Sequence, residues 1–206
     1  MQGELMQVVE CYLPLIQFIA STKADTAGDF TAFRQQVERY LAEAAQASAI
    51  LVGKDDLHAS RFAIMAWVDE WVLCSALALR HEWRDRLLQS EHYQTVVGGE
   101  AFFARFDALD TCNHQIRMVY LTCLLLGFQG KYRHLEPAQL RARIASARQA
   151  LPHAWQAEHS CAEITPVDRQ GIKRKRRHLW IWRYRFVLTL TVLWAMVSVG
   201  LLFTFL

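Results

Sequence analysis

From Phe186 to Leu206 the chain runs for 21 residues without one charged side chain (FVLTLTVLWAMVSVGLLFTFL). At a rise of 1.5 Å per residue, such a helix spans about 31 Å, close to the hydrocarbon thickness of a bilayer. A soluble helix of that length carries a polar face. Here only Thr189, Thr191, Ser198 and Thr204 interrupt the apolar surface, and such hydroxyls can bond back to the carbonyls of their own helix. The segment therefore reads as a single C-terminal transmembrane helix. Lys173 to Arg177, Arg183 and Arg185 precede it, interleaved with Trp180, Trp182 and Tyr184. Positive residues stay on the cytoplasmic side and aromatic residues sit at the interface. No basic-plus-apolar signal opens the chain, and it stops at Leu206. The expectation is a tail-anchored, single-pass protein with its body in the cytoplasm.

Charge is divided along the chain in the same way. Residues 1–168 hold 15 Lys and Arg against all 20 Asp and Glu, whereas residues 169–206 hold 8 Lys and Arg and no acid. An acidic body disfavours a nucleic-acid reader, whose footprint is a basic face on the folded domain. The basic run lies directly against the apolar segment, so its expected partner is anionic lipid headgroups. With 53% hydrophobic and 21% charged residues the body is not disordered. Five Cys with no CxxC spacing argue against a disulfide framework and a zinc knuckle.

The body reads helical almost throughout. Residues 4–20 place apolar side chains at 5, 8, 9, 12, 13, 15, 16 and 19, with Pro14 kinking or breaking the helix. A second helix spans about 30–50, with Phe30, Phe33, Val37, Tyr40 and Leu41 on one face. Asp55 or Asp56 is expected to cap a third, running to about residue 80. A short helix and a loop follow, ending at Gly98-Gly99, before helical patterns at 100–109 and 114–126. The run from Gly127 to Arg133 stops the chain, and Glu136 starts a last helix that ends near Ala150. No alternating strand pattern of useful length occurs. The expected fold is all-α, two small helical packs side by side over residues 1–151, with a linker and basic segment over 152–185 and the anchor over 186–206.

One constellation stands out. In Phe62 to Leu79 the only strongly polar side chains are Asp69 and Glu70, and their helical neighbours at three and four residues are almost all apolar. A helix without a polar stripe belongs at the centre of the body. Two carboxylates there must find donors or open onto a wet groove, because an unpaired buried charge costs several kcal/mol. Arg61, Arg105, Arg117, Lys131 and Arg133 are the candidate partners. Adjacent helical residues point about 100° apart, so the acids do not converge on one small substrate for acid–base catalysis. An internal charge pair and a groove-lining binding element both remain open.

Other chemistry is thin. His81-Glu82 opens like a zincin motif, but Asp85 stands where the second His belongs. Gly127-Phe128-Gln129-Gly130-Lys131 lacks the spacing and the Ser or Thr of a phosphate loop. The eight His show no ligand spacing, so no metal and no cofactor are expected.

Three ordered motifs together are more specific than any one. They are the acid pair within Phe62–Cys74, the segment Val97-Gly98-Gly99-Glu100-Ala101-Phe102-Phe103, and Leu126-Gly127-Phe128-Gln129-Gly130-Lys131-Tyr132-Arg133. In order and spacing, and with the C-terminal span, the chain resembles the DotU/TssL (IcmH) family of bacterial secretion machines over about residues 5–206. The resemblance implies a bacterial inner-membrane protein with a hook-shaped cytoplasmic domain of two helical bundles. It implies a type VI secretion complex with an inner-membrane TssM-like protein and, through it, the outer-membrane lipoprotein TssJ. It also implies docking of the baseplate component TssK. Asp69, Glu70, Gly98, Gly99, Glu100, Gly127, Phe128, Gln129, Gly130 and Tyr132 become the candidate partner-binding or structural residues. The Dot/Icm type IV member is similar in plan. Small residues at Ala195, Ser198 and Gly200 would let the span pack against TssM or a second copy. Two function classes compete: a non-enzymatic scaffold, and a tail-anchored enzyme using Asp69 and Glu70. The lack of a nucleophile–base pair, metal spacing or phosphate loop favours the scaffold.

Overall fold

The computed structural model describes residues 7–22 and 29–152. The basic flank, the span expected at 186–206, most of the 152–185 linker and Cys161 lie outside the described residues. The chain separates into two units, Met1–Ile164 and Thr165–Leu206, and the described residues all belong to the first. Among them the regular structure is entirely helical. None of these helices is long and apolar enough to cross a membrane.

The amino-terminal pattern is split into α1 (Val8–Cys11) and α2 (Leu13–Ser21), with Tyr12 as the break between them. Pro14 falls in the first turn of α2, where its missing N–H removes no helical hydrogen bond. Helix α3 (Phe30–Ser48) starts where the Asp29 carboxylate accepts the Thr31 N–H at 2.8 Å. Its buried face is Phe30, Phe33, Val37 and Leu41, with Tyr40 partly buried beside them.

Helix α4 (Lys54–Cys74) is the central element and touches α3, α5, α6, α7 and α8. Every residue from Phe62 to Asp69 is buried. Two expectations about it need correction. Its N-cap is Gly53, and Asp55 and Asp56 sit inside the first turn, where their charges face the positive end of the helix dipole. Asp56 also accepts a hydrogen bond from Asn113, the N-cap of α8 (His114–Leu125). The helix stops at Cys74 rather than near residue 80. Ser75 leaves helical geometry, its hydroxyl takes the Leu77 N–H, and Leu77 and Leu79 are buried in a non-helical stretch. Core burial of two leucines outweighs the helical propensity of the local sequence.

The segment expected as one short helix and a loop holds two helices, α5 (Arg80–Asp85) and α6 (Leu88–Tyr93). Helix α7 (Gly98–Ala108) begins at the glycine pair instead of after it. Gly127, at φ 94°, ends the run after α8 in a conformation that glycine adopts freely. A 3-10 turn (Gly130–His134) and α9 (Pro137–Gln149, N-cap Glu136) follow. The buried apolar side chains from α1 to α9 join one cluster, so the expected two packs are not separated into two cores.

Candidate functional site

Asp69 and Glu70 leave the middle of α4 in different directions, and each holds a different piece of backbone. Asp69 is 1% exposed. Its Oδ1 accepts Trp83 Nε1–H at 2.8 Å and the Leu88 N–H at 3.0 Å, and its Oδ2 accepts the Gln89 N–H at 2.9 Å. Leu88 and Gln89 are the first two residues of α6, whose N-cap Leu87 has no side-chain acceptor to offer. The carboxylate therefore serves as a cap supplied from another helix, satisfying amides that a helix start leaves open.

Glu70 does the same for the loop after α8. Its Oε1 accepts the Gln129 N–H and its Oε2 the Gly130 N–H, each at 2.8 Å. Arg133 Nη2 closes an ion pair with Oε1 at 2.9 Å, and Arg133 also donates to Cys74 Sγ. Of the five cations considered as partners, Arg133 alone reaches the acid pair. Arg105 lies over the Phe62 ring, Arg117 donates to the Leu109 carbonyl, Lys131 lies over Phe103, and no ion pair joins Arg61 to either acid.

The electrostatics follow from this geometry. Burial pushes the Asp69 carboxyl up to about 6, against the three N–H donors and the more distant Arg34 charge that favour its ionised form. For Arg133 partial burial works against the charge, but Glu70 and Cys74 outweigh it and hold the guanidinium above its usual value. Three donors occupy the oxygens of Asp69 and the residue is 1% exposed, so no substrate can reach the carboxylate for proton transfer. Among the described residues no group of three or more His, Cys, Asp or Glu is arranged to hold a metal ion.

The glycine motifs seal these two attachments together. A Cβ on Gly99 would come within 3.0 Å of the Gly130 backbone. One on Gly130 would lie 2.9 Å from the Gly99 carbonyl oxygen and from Phe128 Cε1. The first turn of α7 and the 128–131 loop thus touch backbone to backbone. A Cβ on Gly98 would occupy the place of Gln89 Oε1, so the Gln89 side chain fills the space that this glycine leaves. Phe128 is buried with its ring 4.2 Å from Phe102, and Tyr132 packs edge-on to Phe103 at 4.8 Å.

Of the candidate residues, Asp69, Glu70, Gly98, Gly99, Gly127, Phe128, Gln129, Gly130 and Tyr132 meet in this assembly. Glu100 does not join its hydrogen bonds and stands exposed in the first turn of α7. Two participants were not anticipated. Trp83 is wholly buried, and among the described residues its indole is the one side-chain donor to Asp69. Arg34 lies 4.8 Å above the Trp83 ring and is itself held by Glu38, Glu91 and the Arg86 carbonyl. Arg34 falls on the buried face of α3 beside Phe30, Phe33 and Val37. That placement was the only available signal, and a long cation there is easily taken for a solvated side chain. Trp67, beside the pair, is buried in the core.

The profile of the family described as type VI secretion system protein DotU matches residues 7–206. Among solved structures, the chain is similar to the cytoplasmic domain of TssL from Acinetobacter baumannii. Identity is 25% and the TM-score 0.63, covering 71% of this chain and 97% of that chain. It is also similar to SciP/TssL from enteroaggregative Escherichia coli 042, at 18% identity and a TM-score of 0.56, covering 70% and 88%; this likeness concerns the fold alone. No curated protein sequence matches the chain.

Proposed function

The chain belongs to the DotU family of type VI secretion proteins, and from that premise we propose that it is a non-enzymatic scaffold of the secretion membrane complex. In this role it is held in the bacterial inner membrane by residues 186–206 and carries its helical body in the cytoplasm. There it joins a TssM-like inner-membrane protein and, through that protein, the lipoprotein TssJ, and it receives the baseplate through TssK. The type VI description of the family favours this role over that of a Dot/Icm type IV component.

The observation that supports a docking role most directly is the way the acid pair is used. Both carboxylates bind backbone amides, and the result is a rigid joint between α6, the start of α7 and the 128–134 segment. Beside that joint Val96 and Val97 stand 78% and 56% exposed. Exposed apolar residues on a braced surface suit a protein partner better than a reaction. An enzyme using Asp69 and Glu70 is disfavoured because Asp69 has no accessible oxygen.

The test is affinity purification of the full chain in detergent from cells with an active secretion system. A large membrane partner and a baseplate component should co-purify. Exchanging Val96 and Val97 for Ser should lose the baseplate component while the chain melts unchanged. Recovery of the chain alone from such cells would refute the scaffold.

A further inference from the structure

Among the described residues, helix α9 is tied to the body along one side. Ala147 and Leu151 are buried, Leu140 and Ile144 pack partly against the core, and Arg143 pairs with Asp107 while lying over the Phe106 ring. On the flank next to that side Arg141 and Arg148 are exposed two turns apart, and with Ile144, Ala145 and Gln149 they line a shallow groove. Among the described residues neither arginine has a carboxylate within ion-pair distance. The surrounding charge is also unlike the rest of the body. Residues 131–151 hold five Lys and Arg and one acid, Glu136, whereas the remainder of 1–168 holds 10 Lys and Arg against 19 acids.

We infer that α9 is a second membrane-contact element, laying its Arg141–Arg148 face on anionic lipid headgroups. Among the described residues, those lining the groove all come from a single helix, so they offer no opposite wall with which to grip a peptide. A planar layer of negative charge needs none. The guanidiniums reach phosphate bidentately while their stems lie along apolar surface beside Ile144. Chain order points the same way, since α9 is the last described helix before the segment that leads to the basic run 173–185 and the apolar run 186–206. A tether of this kind keeps α9 at high effective concentration near one leaflet. This inference rests on the anchor in the proposed function.

The test uses the full chain in lipid nanodiscs of phosphatidylcholine alone or mixed with phosphatidylglycerol. Amide hydrogen exchange of residues 137–149 should slow in the anionic discs, return toward the neutral-disc rate at high salt, and lose the lipid dependence in the Arg141→Glu/Arg148→Glu variant. Arg141→Lys/Arg148→Lys, with the charge kept, should retain most of it. Each arginine near an anionic surface is worth roughly fivefold in partition, so the reversed pair should weaken the contact at least roughly thirtyfold. Equal exchange in both discs, or protection that survives charge reversal, overturns the inference. So does protection that appears only when an acidic protein partner is added. Carbonate extraction reports the anchor separately. If the chain is extracted, the anchor fails, and α9 is judged by flotation of the same chain with anionic vesicles, where charge reversal must still weaken binding.

Discussion

Gly127 and Gly130 both have positive φ, 94° and 48°, yet the structure separates them sharply. A Cβ on Gly127 meets nothing within 4 Å, whereas one on Gly130 meets the Gly99 carbonyl oxygen and Phe128 Cε1 at 2.9 Å. Replacing either by Ala forces an L side chain into left-handed backbone, which costs about 1–2 kcal/mol and is partly offset by the lower entropy of the unfolded chain. Only Gly130→Ala adds overpacking against backbone, worth about 1–3 kcal/mol. It also pushes the Gly130 N–H away from Glu70. The expected losses are about 1 kcal/mol for Gly127→Ala and about 3 kcal/mol for Gly130→Ala. For a chain of this size these correspond to melting-point drops of about 3 °C and about 9 °C. Thermal unfolding of the full chain in detergent, followed by circular dichroism, measures both. Equal losses, or a larger loss at Gly127, would refute the close approach of α7 and the 128–131 loop as the reason for glycine at Gly130.

Asp69 makes stability depend on pH. Its folded value of about 6 lies above the ordinary 3.8, so the folded state binds the extra proton, and the associated stability is full below 3.8 and lost as pH rises through 6. Lowering pH from 7 to 5 should therefore stabilise the native chain relative to Asp69→Asn by about 1 kcal/mol, and a pH-independent difference between the two would contradict this. Glu70→Gln turns one acceptor of the loop amides into a donor and removes the Arg133 pair, so it should cost about 1–3 kcal/mol in the same melts. Arg133→Ala removes a partner that is 35% exposed and should cost under about 1 kcal/mol; a larger loss than for Glu70→Gln would place the energy in the ion pair and not in the amides. Replacing residues 186–206 by poly-Leu behind the intact basic flank should leave the chain in the membrane fraction but reduce recovery of its membrane partners, and normal recovery would show that the span makes no specific contact.

Much of the helical layout was legible from residue order because its causes are local. The 3.6-residue spacing of Phe30, Phe33, Val37 and Leu41 marks the buried face of α3. Pro14 marks the α1–α2 break, Gly127 the end of the run after α8, and Glu136-Pro137 the start of α9. The acid pair was conspicuous for the same reason, as two charges in an otherwise apolar central helix. What it binds was not legible. Cationic side chains are the obvious partners for such acids, but most of the donors are the backbone amides of Leu88, Gln89, Gln129 and Gly130, 19 to 60 positions away along the chain. Every residue except proline carries such a donor, so no residue type announces it. The same holds for the α4 boundary at Cys74, set by burial of Leu77 and Leu79, and for Arg34, whose partners other than Glu38 of its own helix come from the α5–α6 region. Periodicity and breakers determine which stretches become helices. Which amide fills a buried carboxylate, and which glycine must stay bare, is decided only when distant segments are packed together, because both depend on distances that the order of residues does not contain.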